Sequence, residues 1–120
     1  GQYNEAINAF KSVVQLNKAA LAAEARYEIA SCWFQLNKLS ESEKAAFETI
    51  SKSGSYDYWI TKAYILLGDI YFKQKDYFNA KATFQSVVEN TTDPELKSEA
   101  QEKLNRVNAE DSQSSKVGEN

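Results

Sequence analysis

The chain has 120 residues, 42% hydrophobic and 26% charged, with a formal net charge of −3, no histidine, one cysteine and one proline. That is globular usage for one domain, and it excludes imidazole metal sites, His-based catalytic triads, thiolate zinc sites and internal disulfides. Lysines and arginines are scattered, so no basic stripe meets a nucleic-acid backbone, and no apolar run approaches the roughly 20 residues of a membrane span.

The first element is the stretch over residues 3–17, YNEAINAFKSVVQLN, whose apolar positions recur at helical spacing. A second helix is expected over 23–37, AEARYEIASCWFQLN, and a third over 40–52, SESEKAAFETISK. Ser40 and Glu43 carry a capping-box signature at the start of that third helix. The following link, SGSYDYW, holds three aromatics over 53–59. Tyr58 and Trp59 are expected to pack back on the helix ends, the alternative being an exposed recognition edge. Helices follow over 61–75, TKAYILLGDIYFKQK, and 77–91, YFNAKATFQSVVENT. Asp93 can cap a last helix over 94–109, with Pro94 in a first turn that needs no N–H. Residues 110–120 read as a tail.

These elements repeat. Tyr3, Ala6, Phe10, Val13 and Val14 return 74 residues later as Tyr77, Ala80, Phe84, Val87 and Val88. Generic amphipathicity explains apolar character but not the same residue types in the same order, so a tandem repeat is the better reading. The copy over 40–52 aligns Phe47 with Phe84 and Ile50 with Val87, leaving Ser40 and Glu43 opposite tyrosine and alanine. The helices between form a second series, with Ala25 on Ala63, Ile29 on Leu67, Ala30 on Gly68 and Trp33 on Tyr71. A helix-interior glycine costs about 1 kcal/mol against alanine, so Gly68 signals a close helix approach.

The run YILLGDIYFKQKDYFNAKATFQSVV, residues 64–88, resembles the tetratricopeptide repeat through Tyr64, Leu67, Gly68, Tyr71, Tyr77, Ala80, Phe84 and Val87. The earlier copy departs: Arg26 replaces the first aromatic, and its Trp33-to-Phe47 interval is one residue longer, which predicts a looser turn near Asn37. The resemblance implies an all-α chain of about six antiparallel helices in a right-handed α-α superhelix, a solenoid. Its expected divisions are 1–17, the second helix of a truncated first repeat; 19–52 and 57–90, two repeats; 94–109, a capping helix; and 110–120, the tail. The repeat spacing of 37–38 residues places extra length in the links near 17–22 and 51–56. Long links look like a subgroup of bacterial envelope proteins, which sets a periplasmic or envelope location ahead of the cytoplasm, although its link prolines are missing.

By that resemblance the function is protein binding without catalysis, cofactor or metal. A partner peptide or helix would dock in a concave groove lined by Glu24, Tyr27, Ser31, Phe34, Gln35, Lys62, Ile65, Asp69, Phe72 and Lys73, closed by Glu102 and Arg106. Phe34 and Phe72 are the apolar anchors, or else they tuck under a neighbouring helix as core. Asp69 would repel a carboxylate, against a clamp for chaperone C-termini. Cys32 reads as a small core or groove residue. Neither a nucleic acid nor direct membrane insertion is expected. An alternative is a structural cap of a longer repeat protein with binding upstream; an enzyme is a remote third, since no nucleophile–base pair is visible. A truncated first repeat would leave a stripe of Tyr3, Ile7, Phe10 and Val14 uncovered, inviting self-association.

Overall fold

The computed structural model describes the backbone of residues 1–15 and 19–118 and the side chains of residues 1–12 and 19–114. Six α-helices are present in this part: α1 Gln2–Gln15, α2 Ala19–Gln35, α3 Leu39–Lys52, α4 Asp57–Lys73, α5 Tyr77–Asn90 and α6 Pro94–Gly118. The residues form two compact units, Gly1–Leu66 and Leu67–Asn120.

In the first unit α1 packs on α2, and α2 on α3. Ala22, Ala23, Ala25 and Ala30 are all fully or almost fully buried on α2. Alanine favours the helix and takes little room, so backbones come close. The approach at Ala30 is marked by a buried hydrogen bond: the Ser42 hydroxyl donates to the Ala30 carbonyl at 2.7 Å.

The turns after α2 and α4 have the same hydrogen bonds. Asn37 N–H donates to Phe34 O and Lys38 N–H to Trp33 O; Lys75 N–H donates to Phe72 O and Asp76 N–H to Tyr71 O. Asn37 and Lys75 take left-handed conformations, φ 60° and 62°. These are Schellman closures, which end a helix by satisfying its last carbonyls. The first turn is therefore as tight as the second, and the extra residue is not in it.

Matching the two turns places Leu39 opposite Tyr77, and hence Ser42, Ala46 and Thr49 opposite Ala80, Phe84 and Val87. Burial agrees: Ser42, Ala46 and Thr49 are all 0% exposed, whereas Phe47 is 47% exposed. The register that pairs Phe47 with Phe84 is thus one residue off. Ser40 lies inside the first turn of α3, whose N-cap is Lys38 with no side-chain cap bond, so the Ser40–Glu43 capping box does not form. Arg26, which stands where Tyr64 stands in the next repeat, donates from Nη1 to the Lys52 carbonyl at 3.0 Å. It caps the last turn of α3, a place where a cation is favoured.

The link from α3 to α4 spans only Ser53–Tyr56, four residues, and turns at Gly54 with φ 59°. The extra repeat length lies in helix and not in this link, because Ser51 and Lys52 belong to α3 and Ala19–Ala22 to α2. The N-terminal stripe also differs from expectation. Ile7 is 2% exposed because α2 covers the inner side of α1; Phe10 is half-buried and Tyr3 is 45% exposed. The side chain of Val14 lies outside the described residues.

In the second unit Leu67, Ile70, Ala80, Phe84, Val87, Leu96, Ala100, Leu104 and Val107 are all buried, and α5 packs on α6. A Cβ on Gly68 would lie 2.5 Å from Phe84 Cζ, so glycine is what admits the ring. Asp76 caps α5 by accepting from Asn79 N–H at 3.2 Å. Asp93 caps α6 by accepting from the N–H groups of Glu95 and Leu96 at 3.0 and 3.2 Å. Asp93→Ala should cost about 0.5–2 kcal/mol, read as a lower urea midpoint; an unchanged midpoint would remove the cap from the account. The helix α6 runs on to Gly118, so most of the expected tail is helical. Lys81 of α5 pairs with Asp111 and holds that extension.

Candidate functional site

In the first unit the carried-over groove residues stand on the side of α2 that faces away from Arg26, Ile29 and Trp33, a consequence of the helical 100° step. Tyr27 is the centre. The Trp59 ring from α4 lies against it at 5.7 Å between centroids, tilted by 37°. Tyr58 meets Trp59 edge-on at 4.8 Å, and the Lys62 ammonium sits 5.5 Å from the Tyr27 centroid. Such ring pairs contribute about 0.5–1.5 kcal/mol beyond burial, and a cation over a ring about 0.5–1 kcal/mol at an exposed site. The cluster is packed together yet accessible: Tyr58 remains 47% exposed. Trp59 does pack back, and it packs onto a residue of the expected groove.

Around this cluster Glu24, Ser31 and Phe34 are half-buried and Gln35 is exposed. Ile65 is different. It is 2% exposed, so it supports the wall from within and offers nothing to a partner. Position in the repeat assigns it to the groove, but its aliphatic side chain takes the dry side of α4. Glu28 is a residue that repeat arithmetic overlooks: burial pushes its carboxyl above the usual range, Glu24 adds to the rise and Lys62 opposes it. Cys32 is buried and free, and burial followed by Glu28 pushes its thiol up, which suits a packing role.

In the second unit Asp69 and Phe72 are half-buried, while Lys73, Glu102 and Arg106 are exposed. Asp69 accepts a hydrogen bond from Lys103 Nζ at 2.7 Å, and Lys103 also reaches Glu99 at 3.3 Å. Lys103 is absent from the sequence-derived set, although it lies one turn beyond Glu99 on the same helix side. Phe72 meets the Tyr77 ring at 5.9 Å, tilted by 47°. It therefore makes a neighbouring-helix contact while keeping part of its surface open.

Burial is the largest influence on Asp69 and raises its carboxyl; Lys103 lowers it, Glu99 raises it and Arg106 lowers it. A carboxyl raised in the folded state binds its proton more tightly there, so its contribution to stability falls as pH rises from the ordinary carboxylate range through the raised value. Asp69→Asn removes that titration. The variant's thermal midpoint relative to the parent chain should therefore climb as pH is raised through that window. A pH-independent difference would show that Asp69 titrates as an ordinary carboxyl.

Among the described residues no group of three or more Cys, Asp or Glu is placed to hold a metal, and no helix is long and apolar enough to cross a membrane. Two family models, each described as tetratricopeptide repeat, match residues 1–58 and 62–90. No curated protein and no solved structure matches the chain.

Proposed function

Because this chain belongs to the tetratricopeptide repeat family, we propose that it is a protein-binding scaffold that holds a partner peptide or helix against the Tyr27–Phe34 face of α2 and works without chemistry. The observation that carries this reading is the ring cluster of Tyr27, Trp59 and Tyr58, held together and still partly open. Aromatic anchors that are pre-positioned lose little entropy on binding, and a few such residues dominate most interfaces. Glu24, Glu28 and Lys62 beside them supply polar contacts that orient a segment. In the second unit the exposed part of Phe72, with Lys73 and Arg106, offers the same combination of ring and charge.

The experiment is selection of short peptides displayed on phage against the whole chain, followed by binding measurements with Phe34→Ala and Phe72→Ala. Selection of a shared motif whose binding drops in the variants supports the reading. Binding that survives both changes places recognition elsewhere. A second reading, a structural cap for further repeats, draws on the charged surface of α6, where Glu95, Lys97 and Glu102 are exposed. Under it the chain selects no motif.

A further inference from the structure

The first unit contains a cleft of about 420 Å³ on the other side of α2, between α1 and α3. That volume lies within the range of ligand pockets, about 300–1,000 Å³. Its floor is apolar, made by Ile29, Trp33 and Ala45. Its rim is charged: Lys11 from α1 and Lys44 from α3 are exposed, and Arg26 of α2 is half-buried between them.

Arg26 is only partly satisfied. Nη1 is taken by the Lys52 carbonyl, but Nε is buried with no acceptor among the described residues. A buried donor without a partner is costly, more so on a charged group. With Nη1 engaged and Nε enclosed, the guanidinium keeps Nη2 and its fixed charge for a carboxylate acceptor. Of the two glutamates at the rim, Glu48 is already held by Lys52 at 3.0 Å. Three cations thus face one uncommitted carboxylate, and the local excess is positive on a chain whose net charge is −3.

We propose that this cleft is a second recognition site, which takes an acidic side chain of a partner peptide between the Arg26 guanidinium and the Lys44 ammonium and its neighbouring aliphatic side chain on Trp33. It is separate from the Tyr27–Phe34 face, and it does not depend on that face being used. The replacement of an aromatic by Arg26 at this repeat position then has two effects, an α3 cap and a carboxylate receptor.

The test uses an acetylated, amidated pentapeptide with leucine–glutamate at its centre, and the same peptide with glutamine for glutamate. Titration is followed by NMR at the Arg26 Nε–H and Trp33 indole N–H signals. The glutamate peptide should shift both signals saturably, and the glutamine peptide should bind at least tenfold more weakly. Arg26→Gln removes the guanidinium charge, and Lys44→Glu reverses an exposed rim charge without touching the core; each should weaken binding severalfold. Phe34→Ala should leave it unchanged. No shift, equal binding of the two peptides, or loss of binding in Phe34→Ala would each overturn the assignment.

Discussion

Alanine at position 84 should lower stability by about 3–5 kcal/mol, the usual cost of removing a buried phenylalanine ring, because Phe84 is 1% exposed in the core of the second unit. Gly68→Ala alone should also destabilise. Its new methyl would sit 2.5 Å from Phe84 Cζ, and overpacking of this kind costs about 1–3 kcal/mol, against a helix-propensity gain of about 1 kcal/mol. The informative variant is the double one. With the ring gone, alanine at 68 keeps its propensity gain, meets no ring and fills part of the cavity. The same Gly68→Ala change should therefore become stabilising, by about 1 kcal/mol, in the Phe84→Ala background. The first repeat already has that pairing, since Ala30 and Ala46 hold the positions of Gly68 and Phe84 and are both 0% exposed. A double-mutant cycle in urea reads the coupling directly. Additive effects would mean that the ring and the glycine do not share one space.

The largest effect on binding is expected from Tyr27→Ala. Its ring carries the Trp59 contact at 5.7 Å and the Lys62 contact at 5.5 Å, so truncation removes an anchor and also releases its two neighbours. Loss of a central aromatic typically costs 2 kcal/mol or more, about thirtyfold in affinity. For a peptide selected on the intact chain, titration calorimetry should show a drop of roughly that size. Tyr27→Phe keeps the ring and should restore most of it. If Tyr27→Ala binds within about twofold of the parent, well under 1 kcal/mol, the ring cluster is packing and nothing more. The thermal midpoint of Tyr27→Ala separates the cases, because a fold defect lowers the midpoint whereas a lost anchor need not.

Much of the helical layout is legible in the apolar spacing, since a period of 3.6 residues survives many substitutions. Gly68 and Asp93 are legible for a different reason: few residues other than glycine admit a ring there, and few other than short polar ones cap a helix. The register of α3 is not legible. Its buried positions are Ser42, Ala46 and Thr49, two of them polar, while the conspicuous Phe47 points outward. Hydrophobicity therefore selects the wrong residue, and only the hydroxyl bonds to Ala30 and Ala45 carbonyls make the small polar residues suitable core. The helical extension to Gly118 is hidden in the same way. Its serines and acidic residues have modest propensity, and the Lys81–Asp111 pair that holds it joins residues 30 apart in sequence.

The candidate site was partly legible. Position in the repeat assigns Tyr27 and Phe34 to the expected groove because such positions recur with the helix period. It assigns Ile65 to the same face, where burial removes it. It overlooks Trp59, Glu28 and Lys103, whose roles come from contacts with another helix or from burial and not from spacing along their own. Arg26 was visible as a departure from the repeat pattern. That departure acquires meaning only from the Lys52 carbonyl that it reaches and the Nε–H that it leaves unmet.

The most direct test of a binding scaffold is an NMR footprint of a selected peptide on the isotopically labelled chain. The largest shifts should fall on Tyr27, Ser31 and Phe34 of α2 and on the Trp59 indole, with little change along the outer side of α3 at Phe47 and Ser51, which lie outside both faces. Shifts concentrated on that outer side, with the Tyr27–Trp59 cluster undisturbed, would contradict it.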